Sequence, residues 1–103
     1  MSLSAAQRKS LRSIGHHLHP IVRIAGNGLS AGVINELERA LSDHELVKLS
    51  LAVEDRGERA AAIDALAEQT RSEIVQTLGK TALLYRHNPR ANPRLSNVAR
   101  HSQ

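Results

Sequence analysis

The apolar positions of this chain change period several times, and each change marks an element. Ser4 with Gln7 makes a capping-box pattern ahead of a helix over about residues 5–14, with Leu11 and Ile14 on its buried stripe. Gly15 is placed to stop that helix. Ile21 to Ile24 read as a short strand, which Gly26, Asn27 and Gly28 break. Ser30 then stands where it can cap a helix over about 31–42, along which Val33, Ile34, Leu37, Ala40 and Leu41 follow helical spacing. In residues 45–53 the period drops to two. Val47, Leu49, Leu51 and Val53 alternate with Lys48, Ser50 and Ala52, as in a half-buried strand. Asp55, with Glu58 three residues on, caps a third helix over about 57–70 that buries Ala60, Ile63, Leu66 and Ala67. Residues 73–78 and 81–86 read as two strands around Gly79-Lys80, a two-residue loop suited to a type II′ hairpin.

The predicted order is helix, strand, helix, strand, helix, strand, strand. That is an α/β fold with a single mixed sheet of about four strands and three helices packed on it. Residues 1–87 form the domain. Residues 88–103 hold two of the three prolines and no apolar period, and they read as a flexible basic tail. At 103 residues the chain has room for one core, and Tyr85 is its single aromatic residue, so that core is aliphatic. There is no cysteine, which excludes disulfides and thiolate metal sites and fits a reducing compartment. No apolar run approaches the ~20 residues of a membrane span, and the first residues do not resemble a signal peptide. The expected location is the cytoplasm, away from membranes.

Charge changes the picture more than composition does. Residues 1–35 carry Arg8, Lys9, Arg12 and Arg23 and no acid, for a net +4. Residues 36–73 hold all ten acids and five bases, for −5. Residues 74–103 carry Lys80, Arg86, Arg90, Arg94 and Arg100 and no acid, for +5. If the two ends of the chain meet, the protein has one basic and one acidic face, and a basic face is the footprint of a polyanion partner. The stretch from His16 to Val33 adds a place to hold that partner. A strand, a glycine loop and a helix start present bare backbone N–H groups and the positive end of a helix dipole to an anion. Gly26, Asn27 and Gly28 leave the backbone open to close approach by phosphate. Arg23, Lys80 and Arg86 supply charge, and Arg90 and Arg94 of the tail are counted to the same surface.

This order of elements, and the residues within it, resemble the CRM domain, or YhbY-like family. It is a small RNA-binding domain found as a stand-alone bacterial protein and as a module of plant organelle splicing factors. Leu11, Gly15-His16, Leu18 and Pro20 resemble the family's opening signature. Gly28-Leu29-Ser30 with Gly32-Val33 resemble its loop and following helix, and His44-Glu45-Leu46-Val47-Lys48 its second strand. Glu54-Asp55-Arg56 resemble the entry to its third helix, and Gly79-Lys80 with Leu84-Tyr85-Arg86 its closing hairpin. The resemblance covers about residues 3–86. It implies a fold similar to the C-terminal domain of bacterial translation initiation factor three. It also implies RNA binding through a GxxG loop, and association with ribosomal RNA in precursors of the large ribosomal subunit. The chain departs from the pattern at Ala25, which stands where the first loop glycine is expected. If that position needs positive φ, alanine costs on the order of 1 kcal/mol.

Other chemistries find less support. His16, His17 and His19 lie close in sequence, but no carboxylate or cysteine accompanies them, and no metal is expected. No nucleophile motif is framed, and the glycine loop lacks the lysine and hydroxyl of a P-loop, so neither an enzyme nor a cofactor is expected. Tyr85 is placed for packing rather than base stacking, and His44 for a structural turn. The rival reading is a protein–protein interaction module that docks a partner through the acidic helical segment. Oligomeric state leaves no mark on the sequence.

Overall fold

The caps form as the residues predict. The Ser4 hydroxyl accepts from the Gln7 N–H at 3.1 Å while the Gln7 side chain accepts from the Ser4 N–H at 2.8 Å. Ser30 accepts from the Val33 N–H at 3.2 Å and Asp55 from the Glu58 N–H at 2.8 Å. The computed structural model describes residues 3–25 and 29–101. Its elements are α1 (Ala5–Gly15), β1 (Val22–Ile24), α2 (Ala31–His44), β2 (Leu46–Leu51), α3 (Arg56–Thr70), β3 (Glu73–Leu78), β4 (Thr81–Tyr85) and α4 (Asn97–His101). The strands form one mixed sheet in the order β1-β2-β4-β3. β1 runs parallel to β2, while β4 is antiparallel to both β2 and β3. Fold class and strand content are those read from the sequence, with α4 added. No helix among the described residues is long and apolar enough to cross a membrane.

Strand alternation sorts the sheet into two unequal faces. Val22, Ile24, Val47, Leu49, Leu51, Ala82 and Leu84 point to one side, where Leu37 and Leu41 of α2 and Ile63 and Leu66 of α3 cover them. Each of these leucines is essentially solvent-free, and burying one contributes ~1.5–3 kcal/mol. On the other side a smaller cluster joins Leu46, Val75 and Leu83 to Leu11 of α1, with Leu18, Tyr85 and Val98 at its margin. A bulge between Ile74 and Gln76 goes with the placing of Val75 in that second cluster. Arg23, Lys48 and Ser50 share this second side, since Arg23 pairs with Ser50 and Lys48 with Leu83. Arg23 is exposed and the other two are half-buried.

Two glycines have definite jobs. Gly79 has φ +57° while Lys80 does not have positive φ, the combination of a type II′ turn. Gly15 ends α1 as expected, but not because it needs a left-handed backbone. A β-carbon there would sit 2.3 Å from Leu83 Cδ1 and 2.7 Å from Cδ2, so glycine is what lets α1 lie on the sheet.

Residues 88–101 depart from the expected tail. Asn88-Pro89-Arg90 and Asn92-Pro93-Arg94 build two successive turns. Asn88 Oδ1 accepts from the Arg90 N–H and Asn92 Oδ1 from the Arg94 N–H, at 3.0 and 2.9 Å. The Ala91 N–H closes the first turn on the Asn88 carbonyl and the Leu95 N–H the second on Asn92, at 3.0 and 2.9 Å. The turns deliver Ser96 into the interior, where its hydroxyl donates to Glu45 Oε1 at 2.7 Å. Glu45 is only 6% exposed, and its other oxygen accepts from the Asn88 N–H at 2.7 Å. Asn97 Nδ2 then donates to the Leu46 carbonyl at 2.7 Å. A polar segment is docked by hydrogen bonds, which no apolar period could reveal.

The close approach at Gly15 yields a stability prediction. Gly15→Ala should lower unfolding free energy in urea by ~1–3 kcal/mol through overpacking. Adding Leu83→Ala should cost less than the two changes summed, because the second makes room for the first.

Candidate nucleic-acid interface

Gly26, Asn27 and Gly28 lie outside the described residues, but both flanks of the loop are placed. Ile24 ends β1 in the core, and its carbonyl accepts from the Ala52 N–H at 2.8 Å. Ala25 is exposed. Positive φ among the described non-glycine residues is confined to Glu45 and Arg71, so Ala25 incurs no left-handed strain. On the far flank Leu29 packs against the main core and Ser30 caps α2, whose first turn holds no acid. The loop therefore spans from an edge strand to a helix start.

The acid-free ends of the chain do meet. α1 and α4 contact one another, and Leu11 and Val98 share the second apolar cluster. Neither helix contains an acidic residue. The acids Glu36, Glu38, Asp43, Glu58, Asp64 and Glu68 belong to α2 and α3, which cover the opposite face. Charge segregation along the chain has become charge segregation across the sheet.

Individual bases fare differently. Arg23 is exposed on β1, two residues from the loop. The turn containing Lys80 lies at the same end of the sheet, since the Lys80 carbonyl accepts from the Leu51 N–H at 2.8 Å and Leu51 pairs with Ile24. Lys80 Nζ donates to Glu54 Oε1 at 2.6 Å. That hydrogen bond, and then the ammonium charge, hold the Glu54 carboxyl below the usual carboxylate range. Both side chains are exposed, so the pair exchanges readily with solvent.

Arg86 is not a free surface charge. Its side chain is 21% exposed, and Nη1 donates to Glu38 Oε2 at 2.9 Å and to the Thr70 carbonyl at 2.8 Å. Nη2 donates to the Glu38 carbonyl at 3.1 Å and to Ser42 Oγ at 3.0 Å. Arg86 thus joins α2 to the end of α3, a role that sequence spacing could not separate from a ligand contact. Arg90 and Arg94 project from the two C-terminal turns, exposed and without side-chain partners among the described residues. They lie toward the Glu45 end of β2, roughly 20 Å at ~3.4 Å per residue from its Leu51 end, where β1 runs into the loop.

Two further bases lie outside the residues that the sequence assigns to the site. Lys48 sits on the open side of β2, and Arg100 on α4. Lys48 was legible as an outward position of an alternating strand. Arg100 counts with the basic C-terminal segment in the sequence, but its place on α4 is hidden because the fold of that segment is. His44, read as structural, ends α2 and hydrogen-bonds the Leu95 carbonyl through Nδ1 at 2.9 Å. Tyr85 packs at the margin of the second cluster, and burial, followed by the Glu45 charge, raises its pKa.

Residues 3–86 match the CRS1/YhbY (CRM) domain model. The chain is 53% identical over 100 residues to a probable RNA-binding protein of Pseudomonas aeruginosa, covering 97% of this chain and 96% of that one. It is 40% identical over 94 residues to an RNA-binding protein of Haemophilus influenzae, covering 91% and 95%. The solution structure of a Staphylococcus aureus protein described as an RNA-binding candidate superposes with a TM-score of 0.78 at 28% identity, covering 88% of this chain and 95% of that one.

Two measurements follow from these contacts. Arg86→Ala should lower stability by ~1–3 kcal/mol, because it strands the Glu38 carboxylate and two carbonyls together. Arg86→Lys should recover only part, since an ammonium cannot span both helices. An NMR titration should find the Glu54 midpoint below the ordinary glutamate value of ~4.3. Lys80→Ala should move it back up. The pair's small contribution is thus present at neutral pH and lost as pH falls through that lowered midpoint.

Proposed function

The chain belongs to the CRS1/YhbY (CRM) domain family, and we propose that it is a non-enzymatic, cytoplasmic RNA-binding protein that engages ribosomal RNA during assembly of the large ribosomal subunit. The observation that carries RNA binding is the meeting of acid-free α1 and α4 on the sheet face to which Arg23 also points. The names of the relatives agree with it. The ribosomal target rests on the family resemblance.

In this reading Gly26, Asn27 and Gly28 receive a phosphodiester against bare backbone, next to the start of α2. Arg23 neutralises an adjacent phosphate from the sheet edge. Lys80 exchanges Glu54 for RNA, an exchange that costs little because the pair is solvent-exposed. Arg90 and Arg94 add cations at the far end of the surface, and Arg86 contributes by holding α2 and α3 in place. Tyr85 is occupied in packing, so recognition leans on phosphate and shape rather than stacked bases.

The test is fluorescence anisotropy with a single-stranded ribosomal RNA fragment between about 50 and 200 mM salt. Affinity should fall with a log–log slope of about −0.7 for each phosphate neutralised. Gly28→Asp should bind at least about tenfold more weakly, a loss of ~1.4 kcal/mol, with an unchanged circular-dichroism spectrum. Salt-independent affinity, or full affinity in the folded variant, would remove the loop and the basic face from this function.

A further inference from the structure

Docking of the C-terminal segment creates a cleft of about 230 Å³ on the open side of the sheet. Lys48, Arg100, His19 and Asn97 line it, with Leu18 and Ile21 as its apolar walls and His44 beside them. The positions are built. The Ile21 N–H donates to the Lys48 carbonyl at 3.0 Å, which sets the connection bearing His19 against β2. Arg100 is carried by α4, and α4 is anchored through Asn97 to the Leu46 carbonyl and through Ser96 to Glu45.

The lining contains no acid. Arg8 donates to the Ile74 carbonyl, Arg59 to the Val53 carbonyl at 2.7 Å, and Lys80 and Arg86 to carboxylates. Lys48 and Arg100 make no such side-chain bond among the described residues. Lys48 is half-buried and Arg100 exposed, and both line one cleft without an acid, so an anion seated there meets two cations and no carboxylate.

We propose that this cleft is a phosphodiester subsite, in which Lys48 and Arg100 together hold one RNA phosphate and His19 flanks it. It rests on the RNA-binding reading above and deepens it. The cleft lies on the same sheet side as Arg23. From Ile21, at the cleft, to Ala25, the last described residue before the loop, is roughly 13 Å of extended chain at ~3.3 Å per residue. One RNA strand can therefore pass from loop to Arg23 to cleft. Asn97 and Arg100 fall outside the matched residues 3–86, so the subsite is completed by a segment the family model does not cover.

The experiment compares binding of a short fluorescent single-stranded RNA to the full wild-type chain, to Lys48→Gln, Arg100→Gln and their double variant, and to Lys48→Arg. Arg39→Gln, on the acidic-face helix α2, controls for lost charge alone. Each glutamine variant in the cleft should bind about tenfold more weakly and lower the salt slope by about 0.7. The double variant should lose less than the product of the two losses, because both side chains serve one phosphate. Lys48→Arg should retain most of the affinity, and Arg39→Gln should match wild type. Should Arg100→Gln loosen α4 in a thermal melt, the Lys48 pair alone decides the matter. Salt-dependent binding by wild type with Lys48→Gln indistinguishable from Arg39→Gln would overturn the subsite and leave the RNA reading standing. Losses that multiply independently would overturn the shared phosphate. A wild-type chain with no affinity for RNA would overturn the RNA reading, and the subsite with it.

Discussion

The path of the chain through the sheet is the constraint from which the rest follows. β1 and β2 are parallel neighbours, so α2 must carry the chain back between them. β2 and β3 are also parallel, both being antiparallel to β4, so α3 does the same one step further across. Both crossovers move in the same direction through the sheet, and crossovers of one hand moving one way lie on one face. α2 and α3 therefore share a side, and only the remaining side is open to α1 and α4. Six of the ten acids sit on the crossover helices, and the acid-free segments at the chain ends. Topology thus turns an uneven distribution along the chain into a dipolar molecule.

Polar anchors refine that division by deciding which cations remain available. Glu45 sits at the start of β2 with φ 61°, an unusual conformation for a glutamate, and its buried carboxylate gathers Asn88 and Ser96. The cost of burying that carboxylate is offset by these hydrogen bonds, and His87 Nδ1 approaches to 3.3 Å. Arg86 performs the complementary task, saturating carbonyls and Glu38 between α2 and α3. These groups are absorbed by the fold. Arg23, Lys48 and Arg100 are not, and all three fall on the side that α1 and α4 cover incompletely.

Much of this was legible in the residues. Helical and alternating periods placed seven of the eight elements, and hydroxyl and carboxylate caps located three helix starts to within a residue. The Gly79 turn was readable because its geometry demands a residue free to adopt positive φ. The eighth element was missed because α4 is docked by Ser96 and Asn97 rather than by an apolar stripe. The repeated Asn-Pro-Arg, which builds its approach, reads equally well as a loose linker. Gly15 ends α1 where the sequence predicts, but the need for glycine is tertiary, since its neighbour Leu83 lies almost seventy residues away in sequence.

Local order therefore belongs to the sequence: periods of 3.6 and 2, caps and tight turns all depend on neighbours within a few positions, so the residues alone determined every described element but α4, and the charge carried by each. Which charges stay free is a property of distant pairs, and the tertiary structure alone decided it. Arg86 and Lys48 look alike on paper. One meets the acidic helices and is consumed by them, while the other faces a side from which topology has removed every acidic helix.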